Sequence, residues 1–250
     1  MTTSAPSSAT VASQSAARAS LFCSATSTTG PTLVVRERIA ASREDRPYWR
    51  TQSRYQWASA GAKVLAVGSN EERLQRVLAV APEASTYVCD LADYAAVTAL
   101  AATLHAEHGP IDGLIHLVGG WRGGGGLDGQ TDEDWTFLHE RVLSTLRNTT
   151  RAFNADLLAS FAGRLAIVSS VSVDAPTPGG ANYASAKAAA ETWTRAVGHG
   201  FAKAGDTAAA VIFAVRSLDG LEQRLATELV ALWDAPASAL NNTRHVLAPA

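Results

Sequence analysis

Cysteine is scarce in this 250-residue chain, which contains only Cys23 and Cys89. The two are far apart and belong to no paired motif, which excludes a disulfide framework and favours a reducing compartment. No apolar run approaches the length of a membrane-spanning helix. The formal net charge of -2 and the pI near 6.3 leave no basic footprint for nucleic acid or an anionic membrane surface. We therefore expect a cytoplasmic protein with neither nucleic acid nor a membrane among its partners.

Glycine is missing from one particular stretch. The chain has 19 glycines, yet none lies between Thr32 and Trp57, where arginine and aromatic residues concentrate instead. Such a segment cannot form the tight glycine turn that lets backbone amides approach a phosphate group. Residues 36–57 are therefore atypical. Residues 1–31 are rich in Ser, Thr and Ala and predict a disordered tail, with a targeting segment as the alternative.

From residue 58 onward the pattern becomes regular. Short apolar runs typical of buried strands alternate with helical patterns, which predicts an α/β fold with a doubly wound parallel sheet in a three-layer α/β/α arrangement. After a first strand at 32–35, the expected strands are 62–67, 85–89, 111–118, 164–169, 207–215 and 244–247. The hydrophobic content of 47% supports one domain spanning residues 32–250.

The pair Tyr183 and Lys187 carries the strongest chemical signal. The two residues are four apart in an alanine-rich helix and so lie on one face. An ammonium beside a phenol favours the phenolate and lowers its pKa. Ser170, at the end of an apolar strand, is placed to hold a carbonyl or alcohol oxygen against the tyrosine. These groups suffice to move a proton at an oxygen while a hydride moves at the attached carbon; the alternative is an ordinary amphipathic helix.

On these residues, the chain from about 58 to 248 resembles the short-chain dehydrogenase/reductase family of Rossmann-type enzymes, which use NAD or NADP. The resemblance implies that Tyr183 is the catalytic acid/base, that Lys187 lowers its pKa and binds the nicotinamide ribose, and that Ser170 positions the substrate oxygen. The implied function is an NAD(P)-dependent oxidoreductase that interconverts a carbonyl and an alcohol on a small molecule.

The resemblance also implies a dinucleotide site and an assembly. The cofactor-binding residues would be Ser69, Asp90, Leu91, Gly119, Tyr183 and Lys187. Ser69 stands where an acid would select NAD and an arginine NADP, and the absence of an acid favours NADP. Asp90 would bind adenine, or else cap the helix before Tyr94. We expect no metal, because His105 and His108 are interpreted as a solvated helix end.

Relatives of this kind form homodimers or homotetramers through two long helices, here expected near 132–156 and 181–203. Val142, Leu146 and the alanines at 188–190 are compatible with close helix packing between subunits.

The chain departs from the family at several places. The family's first strand leads into a glycine-rich phosphate loop that residues 36–57 lack, and Val142 stands where a catalytic asparagine is often found. The glycine-rich run 119–126 follows a later strand, so we interpret it as a flexible active-site loop, with Trp121 and Arg122 beside the substrate. The segment after residue 215 is too short for a long substrate lid.

These departures leave alternatives open. A reading-frame slip between about Val35 and Ala58 would explain the missing glycine loop, and translation of the DNA in the other frames tests it. A degenerate relative that acts as a binding module without catalysis is the second hypothesis for the function. A domain that senses dinucleotide without turnover is the third.

Overall fold

The computed structural model describes residues 32–36 and 63–248. The predicted tail at 1–31 and residues 37–57 of the atypical segment lie outside the described residues.

Seven strands form one sheet in the order β3-β2-β1-β4-β5-β6-β7. In chain order the strands are β1 (Thr32–Arg36), β2 (Lys63–Gly68), β3 (Ser85–Val88), β4 (Gly113–His116), β5 (Arg164–Ser170), β6 (Ala209–Val215) and β7 (Thr243–Leu247). The pairs β2/β3, β4/β5, β5/β6 and β6/β7 are parallel. The predicted Rossmann-type architecture is therefore confirmed, and each predicted strand exists within a few residues of its expected bounds.

Strand β1 differs from its neighbours in direction. It pairs antiparallel with both β2 and β4, so that Thr32 lies opposite Val67 and His116 while Arg36 lies opposite Lys63. The prediction of a fully parallel sheet is thus wrong at its central strand. The chain enters β1 at the carboxyl edge of the other strands and leaves it at their amino edge.

Helices cover both faces of the sheet. They are α1 (Glu71–Val80), α2 (Tyr94–His108), α3 (Asp132–Leu138), α4 (Thr145–Ala159), α5 (Ala181–Ala204), α6 (Glu222–Ala231) and α7 (Ala237–Leu240). The side chains of Asn70, Asp93 and Thr131 cap the amino ends of α1, α2 and α3 by accepting backbone N–H bonds. Gly109 ends α2 with a φ of 76°, a conformation that glycine adopts freely.

Alternation along the buried strands builds two hydrophobic cores. Leu165 and Ile167 point to the core beneath α2, α4 and α5, whereas Ala166 between them points to the core beneath α1 and α6. Strand β6 repeats the pattern, and all seven of its residues are buried. Because both faces are covered, these strands are apolar throughout, as parallel strands between two helical layers require.

The helix expected at 132–156 is interrupted. A π-helical segment, His139–Ser144, separates α3 from α4. Val142 and Leu146 were expected to pack between subunits, but they are only 2% and 1% exposed and lie in the chain's own core. Packing of these two side chains between subunits is therefore excluded, because they already fill the chain's own core. Any intersubunit face of α4 must use its outer side instead.

Candidate active site

Three candidate functional side chains meet at the carboxyl edge of the sheet. Ser170 is the last residue of β5, and Tyr183 and Lys187 follow on successive turns of α5. The Ser170 side chain makes a hydrogen bond that favours the ionised form of Tyr183. The Lys187 Nζ lies 5.9 Å from the centre of the Tyr183 ring. The structure therefore brings the predicted serine, tyrosine and lysine into one cluster.

The serine is held by its own turn. Ser170 Oγ accepts bonds from Ser172 N at 3.1 Å and Ser172 Oγ at 2.9 Å. Ser170 is 4% exposed. Its oxygen therefore has a fixed position toward the tyrosine.

Burial controls the protonation of Tyr183. Burial raises the pKa of the phenol, and the hydrogen bond with Ser170 opposes that rise without cancelling it. The lowering of the Tyr183 pKa that was expected from Lys187 is therefore not seen in the free protein. Tyr183 is therefore a neutral phenol at neutral pH, ready to donate a proton.

Lys187 is a buried ammonium with few neighbours to stabilise it. It is 7% exposed, and its Nζ donates to the Val168 carbonyl at 2.8 Å. Burial lowers its pKa to about 8, although the Glu191 carboxylate acts to raise it. His116, at the end of β4, is 3% exposed, and burial together with the Lys187 charge lowers its pKa to about 3. The histidine is therefore neutral, and its Nε2 lies 3.2 Å from Thr145 Oγ1.

The glycine-rich run packs directly against the turn that precedes Tyr183. Gly124 N donates to Gly179 O at 2.7 Å. Gln130 Nε2 lies 3.1, 3.2 and 3.1 Å from the carbonyls of Gly124, Gly126 and Gly179. A Cβ at Gly123 would stand 2.4 Å from Gly179 O, so the contact requires glycine. The run expected to be flexible is tied to the active site, and sequence reasoning gave no role to Gln130.

Trp121 and Arg122 belong to this glycine-rich loop. Trp121 is 56% exposed. Arg122 forms an ion pair with Asp134 at 3.1 Å and lies over the Phe137 ring at 3.8 Å. An exposed aromatic surface therefore stands on the loop that packs beside Tyr183.

The predicted cofactor residues occupy several strand ends. Ser69 is exposed immediately after β2, and Gly119 is buried after β4. Leu91 is buried, and its carbonyl accepts a bond from Asn148 Nδ2 at 3.1 Å. Asp90 accepts from Ala92 N at 3.0 Å and does not cap α2. The alternative of Asp90 as the helix cap is wrong, because Asp93 takes that role.

Arg141 reaches Ser69 across the centre of the sheet. Its Nη1 lies 3.4 Å from Ser69 Oγ. The Arg141 carbonyl accepts from Thr145 Oγ1, the same hydroxyl that lies beside His116 at the end of β4. The backbone of Arg141 thus lies near the end of β4 and its guanidinium near the end of β2, two strands that flank β1 in the sheet. Within the described part of the chain no carboxylate pairs with it.

Val142 occupies the position that the family often gives to asparagine. It lies within the π-helical segment and is 2% exposed. Irregular helical turns of this kind occur often at functional sites. An apolar side chain there cannot hold a water by hydrogen bonding, so the site lacks that relay group.

The residues fit one end of a nicotinamide dinucleotide and not the other. Ser170, Tyr183 and Lys187 match what the nicotinamide half requires. The family's pyrophosphate loop must leave the central strand at the carboxyl edge and enter a helix, so that backbone amides face the anion. Here β1 leaves at the opposite edge. Nothing in residues 32–36 or 63–248 supplies the family's phosphate cradle.

Glu191 and Arg244 are functional candidates that sequence reasoning missed. Glu191 follows Lys187 by one helical turn and is fully buried. Arg244 on β7 contacts both Glu191 and the Ser170 carbonyl. The four-residue spacing of Tyr183, Lys187 and Glu191 was the available signal for the carboxylate, whereas no local pattern marked Arg244.

The sequence model of the short chain dehydrogenase family matches residues 54–216. The chain therefore belongs to the short-chain dehydrogenase family. The match begins four residues before the expected start at 58 and ends before the expected limit at 248.

Curated relatives agree with this assignment. The chain is 31% identical over 145 residues to 2,3-dihydro-2,3-dihydroxybenzoate dehydrogenase of Bacillus subtilis, covering 56% of this chain and 55% of the relative. It is 30% identical over 158 residues to 3beta-hydroxysteroid dehydrogenase of Mediterraneibacter gnavus, covering 62% and 57%. The chain thus matches about half the length of these curated relatives.

The fold is also similar to solved structures. An NADPH-bound short chain oxidoreductase from Pseudomonas aeruginosa PAO1, described as containing an atypical catalytic center, aligns with a TM-score of 0.65 at 19% identity, covering 75% of this chain and 86% of that one.

Residues 32–36 and 63–248 contain neither a metal-binding cluster nor a membrane-spanning helix. In that part of the chain, no group of three or more His, Cys, Asp or Glu side chains is arranged to hold a metal ion. The same residues contain no helix that is long and apolar enough to cross a membrane.

Proposed function

We propose that this protein is an NAD(P)-dependent oxidoreductase that interconverts a carbonyl and an alcohol on a small molecule. The observation that carries the proposal is the cluster of Ser170, Tyr183 and Lys187 at the carboxyl edge of the sheet. Membership of the short-chain dehydrogenase family supports it. We include in the proposal a cytoplasmic location and a homodimer or homotetramer, whose contacts would use the outer sides of α4 and α5.

In this reaction each side chain has a separate task. The nicotinamide would supply or accept the hydride. Ser170 Oγ orients the substrate oxygen, and the neutral Tyr183 phenol donates a proton to it during reduction. The buried Lys187 ammonium stabilises the phenolate that remains. The raised pKa of free Tyr183 favours this direction, because the phenol is protonated before the substrate binds.

We propose that NADP is the preferred dinucleotide. Ser69 stands at the strand end where the side chain of family members discriminates between NAD and NADP. This residue is not acidic, and an acidic residue here would have favoured NAD. The Arg141 guanidinium beside Ser69 supplies the cation that a 2′-phosphate attracts. Because no carboxylate of the described residues pairs with Arg141, a phosphate beside Ser69 would gain a charge-assisted bond from it.

We propose a ring-borne alcohol or ketone as the substrate class. The names of the two curated relatives describe hydroxyl groups on rings. The exposed Trp121 indole, on the loop that packs against Gly179, offers a flat apolar surface on which a ring can stack.

The test is an assay of NADPH and NADH oxidation with a panel of cyclic ketones. We expect turnover by the intact protein, faster with NADPH, and its loss in Tyr183→Phe, which keeps the ring but lacks the proton. Undiminished turnover in Tyr183→Phe would contradict the assignment of the acid. Dinucleotide binding without turnover of any ketone would favour dinucleotide sensing.

A second candidate is a non-catalytic relative that serves as a binding module. The specific observation in its favour is the reversed central strand, which removes the family's route to a pyrophosphate loop. Failure of a well-folded sample to bind either dinucleotide would support this candidate over the enzyme.

A further inference from the structure

A fully buried carboxylate lies beside the candidate catalytic residues. Glu191 continues the face of α5 that carries Tyr183 and Lys187, and its exposed fraction is 0%. Its Oε1 accepts from Ser169 Oγ at 2.6 Å. A charge buried this deeply is strongly unfavourable unless it is paired, so the partners of this carboxylate are part of its role.

Two arginines pair with Glu191, and they differ in what else they contact. Arg195 Nη2 donates at 2.8 Å from a side chain that is 44% exposed. Arg244 Nε lies 3.0 and 3.1 Å from the two Glu191 oxygens, and its side chain is only 18% exposed. Arg244 also donates from Nη2 to Ser170 O at 3.3 Å and from Nη1 to Asp174 at 2.9 Å.

These contacts fix the end of β5 from two directions. Ser169 is held through its hydroxyl by Glu191, and Ser170 is held through its carbonyl by Arg244. The peptide that carries the Ser170 side chain is therefore clamped between α5 and β7. Moving either charged group would shift the oxygen that orients the substrate.

The same carboxylate acts on Lys187. The groups that face this ammonium are Glu191 and Tyr183 on α5, neutral His116 on β4, and the Val168 carbonyl on β5. Arg244 on β7 adds positive charge next to Glu191. Burial favours loss of the lysine's proton, and Glu191 opposes that loss.

We propose that Glu191 and Arg244 are positioning residues of this site: Glu191 keeps the Lys187 ammonium charged, and Arg244 holds the Ser170 backbone in register with it. The consequence for catalysis rests on the proposed oxidoreductase function. The electrostatic part concerns Lys187 alone and can be measured without any turnover.

The chain suits a direct titration because it has only three lysines, Lys63, Lys187 and Lys203. NMR of protein labelled with 13C at lysine Cε would follow each one, with Lys63→Arg and Lys203→Arg assigning the signals. We expect the Lys187 pKa to fall by roughly one unit in Glu191→Gln, because an opposite charge is lost. In Arg244→Gln we expect the Lys187 pKa to rise, because a neighbouring positive charge is lost.

Arg195→Ala is the matched control. It removes the other guanidinium from the same carboxylate, but solvent screens the charge of this half-exposed arginine, so the Lys187 titration should stay unchanged. An unchanged Lys187 pKa in Glu191→Gln would overturn the proposal, as would a fall in Arg244→Gln. If Glu191→Gln does not fold, the sign of the Arg244→Gln shift decides.

Steady-state kinetics provide a second test of the proposal. A fall of one pKa unit from about 8 would cut the charged fraction at pH 8 from about a half to about a tenth, a loss of about fivefold in kcat. The alkaline limb of the pH–rate profile should move down by the same one pH unit. In Arg244→Lys, kcat should fall by a larger factor than KM changes. If the intact protein shows no turnover, the proposed function fails while the lysine titration still decides whether Glu191 holds the charge. Kinetics in Glu191→Gln identical to the intact protein would refute positioning.

Discussion

The two halves of the sheet's carboxyl edge are built differently. On one side, parallel strands β4 and β5 and helix α5 bring Ser170, Tyr183 and Lys187 together and bury them among hydrogen-bonded groups. On the other side, β1 runs against β2 and β4, and the Arg141 side chain reaches Ser69 just after the end of β2. The comparison teaches that the three groups proposed for proton transfer can assemble at one end of this edge while the described central strand leaves the sheet in the direction opposite to its neighbours.

The sharpest test of the catalytic half is Tyr183→Phe. General acid catalysis contributes about 10²–10⁴-fold, so we expect kcat to fall by that amount while dinucleotide affinity changes by far less. Steady-state rates and fluorescence titration with NADPH would separate the two. A parallel loss of affinity would mean that the tyrosine organises the site rather than donating the proton.

Lys187→Met should lower activity and raise the free energy of unfolding. The lysine pKa falls from 10.5 to about 8 in the folded chain, which corresponds to at most about 3 kcal/mol of unfavourable burial at pH 7. Because the folded pKa is depressed, the intact protein should gain stability as the pH rises from about 8 to 10.5, and the variant should not. Urea unfolding at pH 7 and pH 10 would measure this. A less stable variant at pH 7 would show that the bond to Val168 outweighs the burial.

His116→Asn should reduce sensitivity to acid. Burial lowers the pKa of His116 from 6.5 to about 3, so the unfolded chain takes up a proton that the folded chain refuses. The stability from this group is full above pH 6.5 and is lost as the pH falls toward 3, by about 2 kcal/mol at pH 5. Unfolding free energies at pH 7 and pH 5 should therefore differ less in the variant. An equal difference in both proteins would contradict the buried neutral histidine.

Arg141→Ala tests the side of the carboxyl edge on which Arg141 reaches Ser69. Loss of a charge-assisted bond to phosphate should weaken NADPH binding about tenfold, or about 1.4 kcal/mol, and leave NADH almost unchanged. Arg147→Ala is the control, since Arg147 on α4 lies over the Trp193 ring on α5. Equal weakening of NADPH and NADH would place the contact at the pyrophosphate instead.

The sequence predicted most of the fold because strand and helix patterns are local. Strands β5 and β6 and helix α5 were expected within two residues of their observed bounds, and the four-residue spacing placed Tyr183 and Lys187 on one face. The direction of β1 could not be predicted, since an apolar run such as 32–35 reads the same either way. The contacts of Arg244 and Gln130 also escaped prediction, because they join residues distant in the sequence.

The most direct measurement compares the affinities of NADPH, NADH and reduced nicotinamide mononucleotide by tryptophan fluorescence. If the nicotinamide half is intact and the pyrophosphate cradle is missing, the mononucleotide should bind within about tenfold of NADH, and NADPH should bind more tightly through Arg141. NADH binding a thousandfold or more tighter than the mononucleotide would contradict the account, because it would require a pyrophosphate cradle.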